Sequence, residues 1–159
     1  MSGHLLERRQ VVSADLEEVF AFFAEPANLE AITPPWLNFE IVSATGARVR
    51  VGTELEYRLR WQGMPMSWRS RISEYERNAH FADEMLRGPY ARWYHLHLFE
   101  ARPGGVEMVD RIEYELPLGP LGRLVHRLVV GPQLEAIFDY RRDTIARIFQ
   151  GEGFAANPA

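Results

Sequence analysis

Two periodicities divide the chain. After a strand-like stretch over 4–12, Leu16, Val19, Phe20 and Phe23 recur at i, i+3, i+4 and i+7, which gathers one apolar face on a helix. Ser13 is a good N-cap for it. Asp15, Glu17 and Glu18 place negative charge on its first turn, and Pro26 ends it. A second short helix is predicted over 27–32, before Thr33-Pro34-Pro35 removes backbone donors.

From 39 to 116 the period is two, with turn residues at Thr45-Gly46, 62–65, Gly88-Pro89 and 102–105, which predicts an antiparallel meander. Leu55, Tyr57, Leu59 and Trp61 alternate with Glu54, Glu56, Arg58 and Arg60, so one face is wet and the other buried. Met66, Trp68, Ser70 and Ile72 alternate with polar residues in the same way, and a four-residue turn over 62–65 would set Leu59 opposite Trp68 and Glu56 opposite Arg71. A helical pattern then returns in Leu121, Leu124, Val125 and Leu128. It continues through Leu134, Ile137, Phe138, Arg141, Ile145 and Ile148, with a kink or break expected at Gly131-Pro132. Ile137, Phe138, Ile145 and Ile148 should face the sheet. These elements predict one α+β domain over 1–150, with a flexible tail over 151–159. A strongly curved antiparallel sheet of about seven strands wraps a long C-terminal helix, and two short helices follow the first strand.

Composition narrows the functions open to such a domain. The chain has 159 residues, enough for one core, and its 47% hydrophobic and 25% charged residues are those of an ordinary globular protein. Without cysteine there are no disulfides, thiolate metal sites or cysteine nucleophiles. A net charge of -4 argues against nucleic acid as a partner. No run of apolar residues is long enough for a membrane span, and the polar N-terminal stretch does not read as a signal peptide, so a cytoplasmic location is expected. Walker, dinucleotide, G-x-S-x-G and H-E-x-x-H motifs are missing, and nothing calls for a cofactor.

The most informative segment runs from Arg92 to Glu100, apolar or aromatic on both alternating sets. Its neighbour puts Met108, Asp110, Ile112 and Tyr114 on one face and mostly charged residues on the other. A hairpin turn over 102–105 pairs Phe99 with Met108, His97 with Asp110, His95 with Ile112 and Trp93 with Tyr114. Asp110 then points inward beside His97, with Ser70, Glu74 and His95 as neighbours. A buried carboxylate needs such a partner. Three readings stay open: a structural buried pair; a polar grip that orients a ligand or moves a proton, with His97 and Asp110 as catalytic candidates; and a two-His, one-carboxylate metal triad of His95, His97 and Asp110, which no flanking pattern supports. No metal is assigned.

A broad curved sheet cannot be filled by one helix, so its aromatic face should leave space for a ligand. The expected wall comprises Trp36, Tyr57, Leu59, Trp68, Phe81, Trp93, His95, Phe99, Met108, Ile112, Tyr114, Leu134 and Phe138.

The order of elements resembles the helix-grip fold of the START-like superfamily, also called SRPBCC. The stretches Trp93-x-His95-x-His97-x-Phe99, 104–117 and Leu134-x-x-Ile137-Phe138-x-Tyr140-Arg141 are similar to its polyketide cyclase/dehydrase-like, ligand-binding branch, as are Val11-Val12-Ser13-Ala14-Asp15 and Val19-Phe20-x-Phe22-Phe23. The resemblance implies binding or transport of a hydrophobic small molecule such as a lipid, quinone or polyketide-like aromatic. It also admits a cofactor-free cyclase or dehydratase with His97 as base, Asp110 orienting it and Tyr57 or Tyr114 polarising a carbonyl, and a co-chaperone-like module acting through the outer sheet face.

Overall fold

In the computed structural model, which describes the backbone of residues 3–155 and side chains as far as Phe149, one seven-stranded antiparallel sheet carries the domain. Its strands are β1 (His4–Val12), β2 (Glu40–Ala44), β3 (Glu54–Trp61), β4 (Met64–Glu76), β5 (His80–Arg87), β6 (Arg92–Arg102) and β7 (Gly105–Glu115), in the spatial order β1-β7-β6-β5-β4-β3-β2. Between β1 and β2 lie helix α1 (Leu16–Phe23) and two 3₁₀ turns, Pro26–Ile32 and Pro35–Leu37. The cap of α1 is Asp15 rather than Ser13.

The β6–β7 hairpin takes the predicted register, with His97 opposite Asp110 and Trp93 opposite Tyr114. The β3–β4 hairpin does not. Its turn has two residues, Gln62 (φ 53°) and Gly63 (φ 77°), so Tyr57 faces Trp68 and Leu59 faces Met66. Two successive positive φ values fit the tight turn that follows the strands' right-handed twist. Pro65 therefore lies inside β4 instead of in the turn. It is tolerated because β5 pairs only from Arg69 onward, which leaves the Pro65 side of β4 without a ladder to break. The slip is two residues, so every side chain keeps its expected face.

Where a kink or break is expected, at Gly131-Pro132, a π turn, His126–Val130, lies between α2 (Gly119–Val125) and α3 (Gly131–Ala155). The Gly131 N–H bonds back to the His126 carbonyl, a wider hydrogen bond that carries the helix into Pro132, which has no N–H to give. Of the predicted tail, 151–155 continue α3 and 156–159 lie outside the described residues.

Helix α3 crosses the concave face and is tied at both sides. Arg8 on β1 forms ion pairs with Glu135 and Asp139, and the Trp61 indole of β3 donates to the Gln133 side chain. Phe138 and Ile145 are buried against the sheet and Ile137 is half-buried, but Ile148, 40% exposed, has turned off that stripe. No described helix is long and apolar enough to cross a membrane.

Candidate functional site

A cavity of about 390 Å³ lies between the sheet and α3. Its walls are aromatic and aliphatic because the inward residues of β3, β4 and β6 alternate with charged ones that face water: Leu55, Tyr57 and Leu59, then Trp68 and Ile72, then Trp93. The helix adds Leu134, Ile137 and Phe138, and the segment before β2 adds Leu29 and Phe39. Trp68 and Trp93 meet edge to face at 5.1 Å, and Tyr90 packs on both. The Tyr57 hydroxyl is held by Ser70 Oγ at 2.7 Å, which also accepts from the Trp68 indole. Burial, with the Asp83 charge behind it, pushes the Tyr57 phenol far above its ordinary pKa, so it stays neutral.

Of the thirteen residues expected in this wall, Tyr57, Leu59, Trp68, Phe81, Trp93, His95, Leu134 and Phe138 border the cavity. Five do not. Trp36 is 55% exposed and meets Tyr140 edge-on, while Leu37 of the same 3₁₀ turn takes the inward position and borders the cavity. Phe99 and Met108 belong to a packed cluster under α1, and Ile112 lies fully buried deeper in the sheet. Tyr114 turns its hydroxyl to His126 Nε2 at 2.6 Å, which takes it out of the wall and away from any carbonyl in the cavity.

The charged cluster is larger than the predicted pair. His95 and His97, two residues apart on β6, are stacked with ring centroids 3.7 Å apart and stand between two carboxylates. On one side is Asp110 of β7: its Oδ1 is 2.9 Å from His95 Nε2 and 3.2 Å from His97 Nδ1. On the other is Asp83 of β5, whose Oδ2 is 3.1 Å from His97 Nε2 and 3.9 Å from His95 Nδ1. Arg141 of α3, itself buried, closes the group by donating from Nε to Asp110 Oδ2 and from Nη2 to Asp110 Oδ1, both at 3.2 Å. Its Nη2 is also 3.5 Å from His97 Nδ1, too long to compete with the Asp110 contacts.

These contacts set the charge states. Burial by itself would raise the Asp110 carboxyl, but the Arg141 guanidinium and the two imidazoles outweigh it and hold Asp110 well below the usual carboxylate range. Burial works against charge on both imidazoles. It prevails at His95, assisted by the neighbouring His97, so that pKa falls. At His97 the hydrogen bonds to Asp110 and Asp83 overcome it and the pKa rises. His95 Nε2 is thus placed to donate to Asp110, and the two carboxylates that flank His97 favour its protonated form.

Asp110, the predicted catalytic partner, does not border the cavity; it stands behind the imidazoles, and Asp83, His95, His97 and Arg141 reach the space. Neither other expected neighbour joins them. Ser70 serves Tyr57 and Trp68, and Glu74, on the outer face, accepts from the Tyr94 hydroxyl. The sequence did carry signals for the two residues that were missed. Arg141 sits in register on the apolar stripe of α3, where a charge needs a buried partner. Asp83 follows Phe81 by two on β5 and pairs with His95 across the β5–β6 ladder.

The family model described as polyketide cyclase / dehydrase and lipid transport matches residues 12–138. The chain belongs to this family, within the START-like, SRPBCC superfamily, and its architecture is the superfamily's ligand-binding helix grip. No curated protein matches it significantly in sequence. Among solved structures it is similar to a protein from Thermus thermophilus, 18% identical over 89% of this chain and 97% of that one, with a TM-score of 0.64. A protein from Chromobacterium violaceum is 15% identical over 93% and 98%, TM-score 0.67. Norcoclaurine synthase from Thalictrum flavum, solved with dopamine and hydroxybenzaldehyde, is 14% identical over 91% and 87%, TM-score 0.65. At these identities the likeness is one of fold.

Proposed function

We propose that the protein binds a mostly apolar small molecule with one oxygen-bearing end, its apolar body against Tyr57, Trp68, Trp93 and Phe138 and its polar end at Asp83, His95, His97 and Arg141. One observation carries this reading: a cavity of about 390 Å³ with aromatic walls and, among the described residues, one cluster of buried and half-buried charged groups reaching it at Asp83, His95, His97 and Arg141. That volume lies within the range of small-molecule sites, and convergent polar groups in an apolar pocket fix orientation. The family's description, with its mention of lipid transport, and the aromatic ligands in norcoclaurine synthase agree with this class. Competition between 1-naphthol and naphthalene for a fluorescent apolar probe tests it. Naphthol should compete better in the wild type and lose that advantage in His97→Phe; equal competition by both, or none by either, contradicts the proposal.

A second reading, a cyclase or dehydratase using His97, is supported by one feature: His97 reaches the cavity with a carboxylate behind it, the arrangement of a proton-transfer group and its orienting partner. Asp110 then positions and does not touch substrate. If this reading holds, His97→Gln abolishes turnover of a polyketide-like substrate while probe affinity stays within a factor of two or so. The co-chaperone-like alternative has less support, because exposed apolar residues of the strands such as Leu5 and Val11 are interrupted by charged ones, Glu7 and Arg9, while the stripe Leu121, Leu124 and Leu128 lies on the α2 and π-turn segment.

A further inference from the structure

We infer that Asp83, His95 and His97 form a binding site for a divalent first-row transition metal, with Asp110 as the outer carboxylate that aims both imidazoles and the cavity as the open coordination side. The sequence alone paired the two histidines with Asp110, and the structure reassigns that role. Asp110 touches the outer nitrogens, His95 Nε2 and His97 Nδ1, and is already engaged by Arg141. The opposite nitrogens, His95 Nδ1 and His97 Nε2, turn toward Asp83 Oδ2.

The geometry is close to what an ion needs. Asp83, His95 and His97 offer one ligand atom each, all within 4.8 Å of one another. Ligands about 2.1 Å from a tetrahedral centre stand about 3.4 Å apart, and Asp83 Oδ2 is 3.1 Å from one imidazole nitrogen and 3.9 Å from the other. Small side-chain adjustments on β5 and β6 therefore suffice. At 3.9 Å, His95 Nδ1 is beyond hydrogen-bond reach of Asp83, so ligation at that nitrogen breaks no bond between them. An imidazole whose second N–H is held by a carboxylate is the common supporting arrangement for metal-bound histidine. Two imidazoles and one carboxylate with open positions suit zinc or ferrous iron, whereas an all-oxygen set would suit magnesium or calcium.

Charge then specifies what completes the site. With neutral imidazoles, a dication, Asp83, Asp110 and Arg141 leave one net positive charge in a buried place. An anionic oxygen entering from the cavity, such as a carboxylate, phenolate or enolate, neutralises it. The metal site stands on the ligand geometry, and only this last step draws on the proposed cavity ligand.

The test uses the full chain stripped with a chelator and titrated with Co²⁺ at neutral pH, read by visible absorption and by the thermal unfolding midpoint. The expected result is a d–d band saturating at one equivalent, displaced by Zn²⁺, with a metal-dependent rise in midpoint. Asp83→Asn, which keeps side-chain shape at a half-buried position, should lose both signals. Asp110→Asn should weaken binding ten- to a hundredfold, and Glu74→Gln on the outer face should change neither signal. No saturable band in the wild type, or a band and midpoint shift unaltered by Asp83→Asn, overturns the site. Probe binding by the metal-free protein is scored separately, so the failure of either proposal is distinguishable from failure of the other.

Discussion

Beneath α1 the concave face of the sheet is closely packed, with Phe22 and Phe23 at the end of the helix reaching the cavity, while under the first half of α3 the same face is hollow. In the solid region Phe20 meets Phe81, Phe99 and Tyr75 edge to face, and Phe23 packs on Phe99 and Phe149. Two helices cover that part, because α1 and Ile145 of α3 reach it from different sides. In the hollow region Tyr57, Trp68 and Trp93 face Leu134 and Phe138 of a single helix, and the volume one helix cannot fill remains as the cavity. The charged cluster marks the border. His97 stacks on Phe81 of the solid side, His95 meets Phe138 of the hollow side, and the Arg141 guanidinium lies over both Phe23 and Phe138. Space for a ligand is thus set by how many helices cover the sheet, since aromatic content is high on both sides.

The sharpest contrast should come from truncation. Phe20→Ala opens a void where neighbours cannot collapse and should cost about 3–5 kcal/mol, whereas Leu134→Ala enlarges an existing space and should cost about 2 kcal/mol. Denaturant unfolding of both variants measures the difference, and equal costs would erase the distinction between the halves. At the border, Asp110→Ala strands the Arg141 guanidinium and should cost about 3–5 kcal/mol, while Asp110→Asn, which keeps an acceptor, costs less. Equal and small losses would mean that the cluster is not closed by Arg141.

Acidification should loosen the hollow side at His126. His126 Nε2 shares a hydrogen bond with the Tyr114 hydroxyl, and its ring stacks on His4 at 3.6 Å. Burial, with His4 adding to it, lowers the His126 pKa from its ordinary 6.5. A lowered folded-state pKa means that the stabilisation is present above about pH 6.5 and is lost as pH falls through the folded value. NMR titration should place the His126 midpoint below 6.5 and move it upward in His4→Gln; an unchanged midpoint would remove His4 as a cause. The smallest effect is expected on the outer surface of α1. Arg77→Ala removes an exposed ion pair with Glu17 and should change stability by less than about 0.5 kcal/mol.

Legibility in the sequence followed the same border. The β6–β7 register could be read because Pro103-Gly104-Gly105 marks its turn and one strand face is charged. The β3–β4 register could not, since Pro65 imitates a turn residue and is accepted inside β4 only because β5 does not reach it. His97 beside Asp110 was readable from one hairpin. Asp83 and Arg141 come from another strand and from the helix, and they enter the cluster only once β4 has taken its irregularities and α3 has crossed the sheet. Tyr114 and Phe99 share the inward face with the cavity residues, and alternation cannot tell which inward positions a second helix or a histidine will claim.

Filling the hollow half without touching the solid one tests the account most directly. Leu134→Trp extends a bulky side chain from α3 into the cavity, and 8-anilinonaphthalene-1-sulfonate, excited by energy transfer from Trp68 and Trp93, reports occupancy. The account predicts saturable one-to-one binding by the wild type, with at least a tenfold weaker affinity in the filled variant at an unfolding midpoint within a few degrees of wild type. Undiminished probe binding in an equally stable Leu134→Trp protein would place the binding surface elsewhere and contradict it.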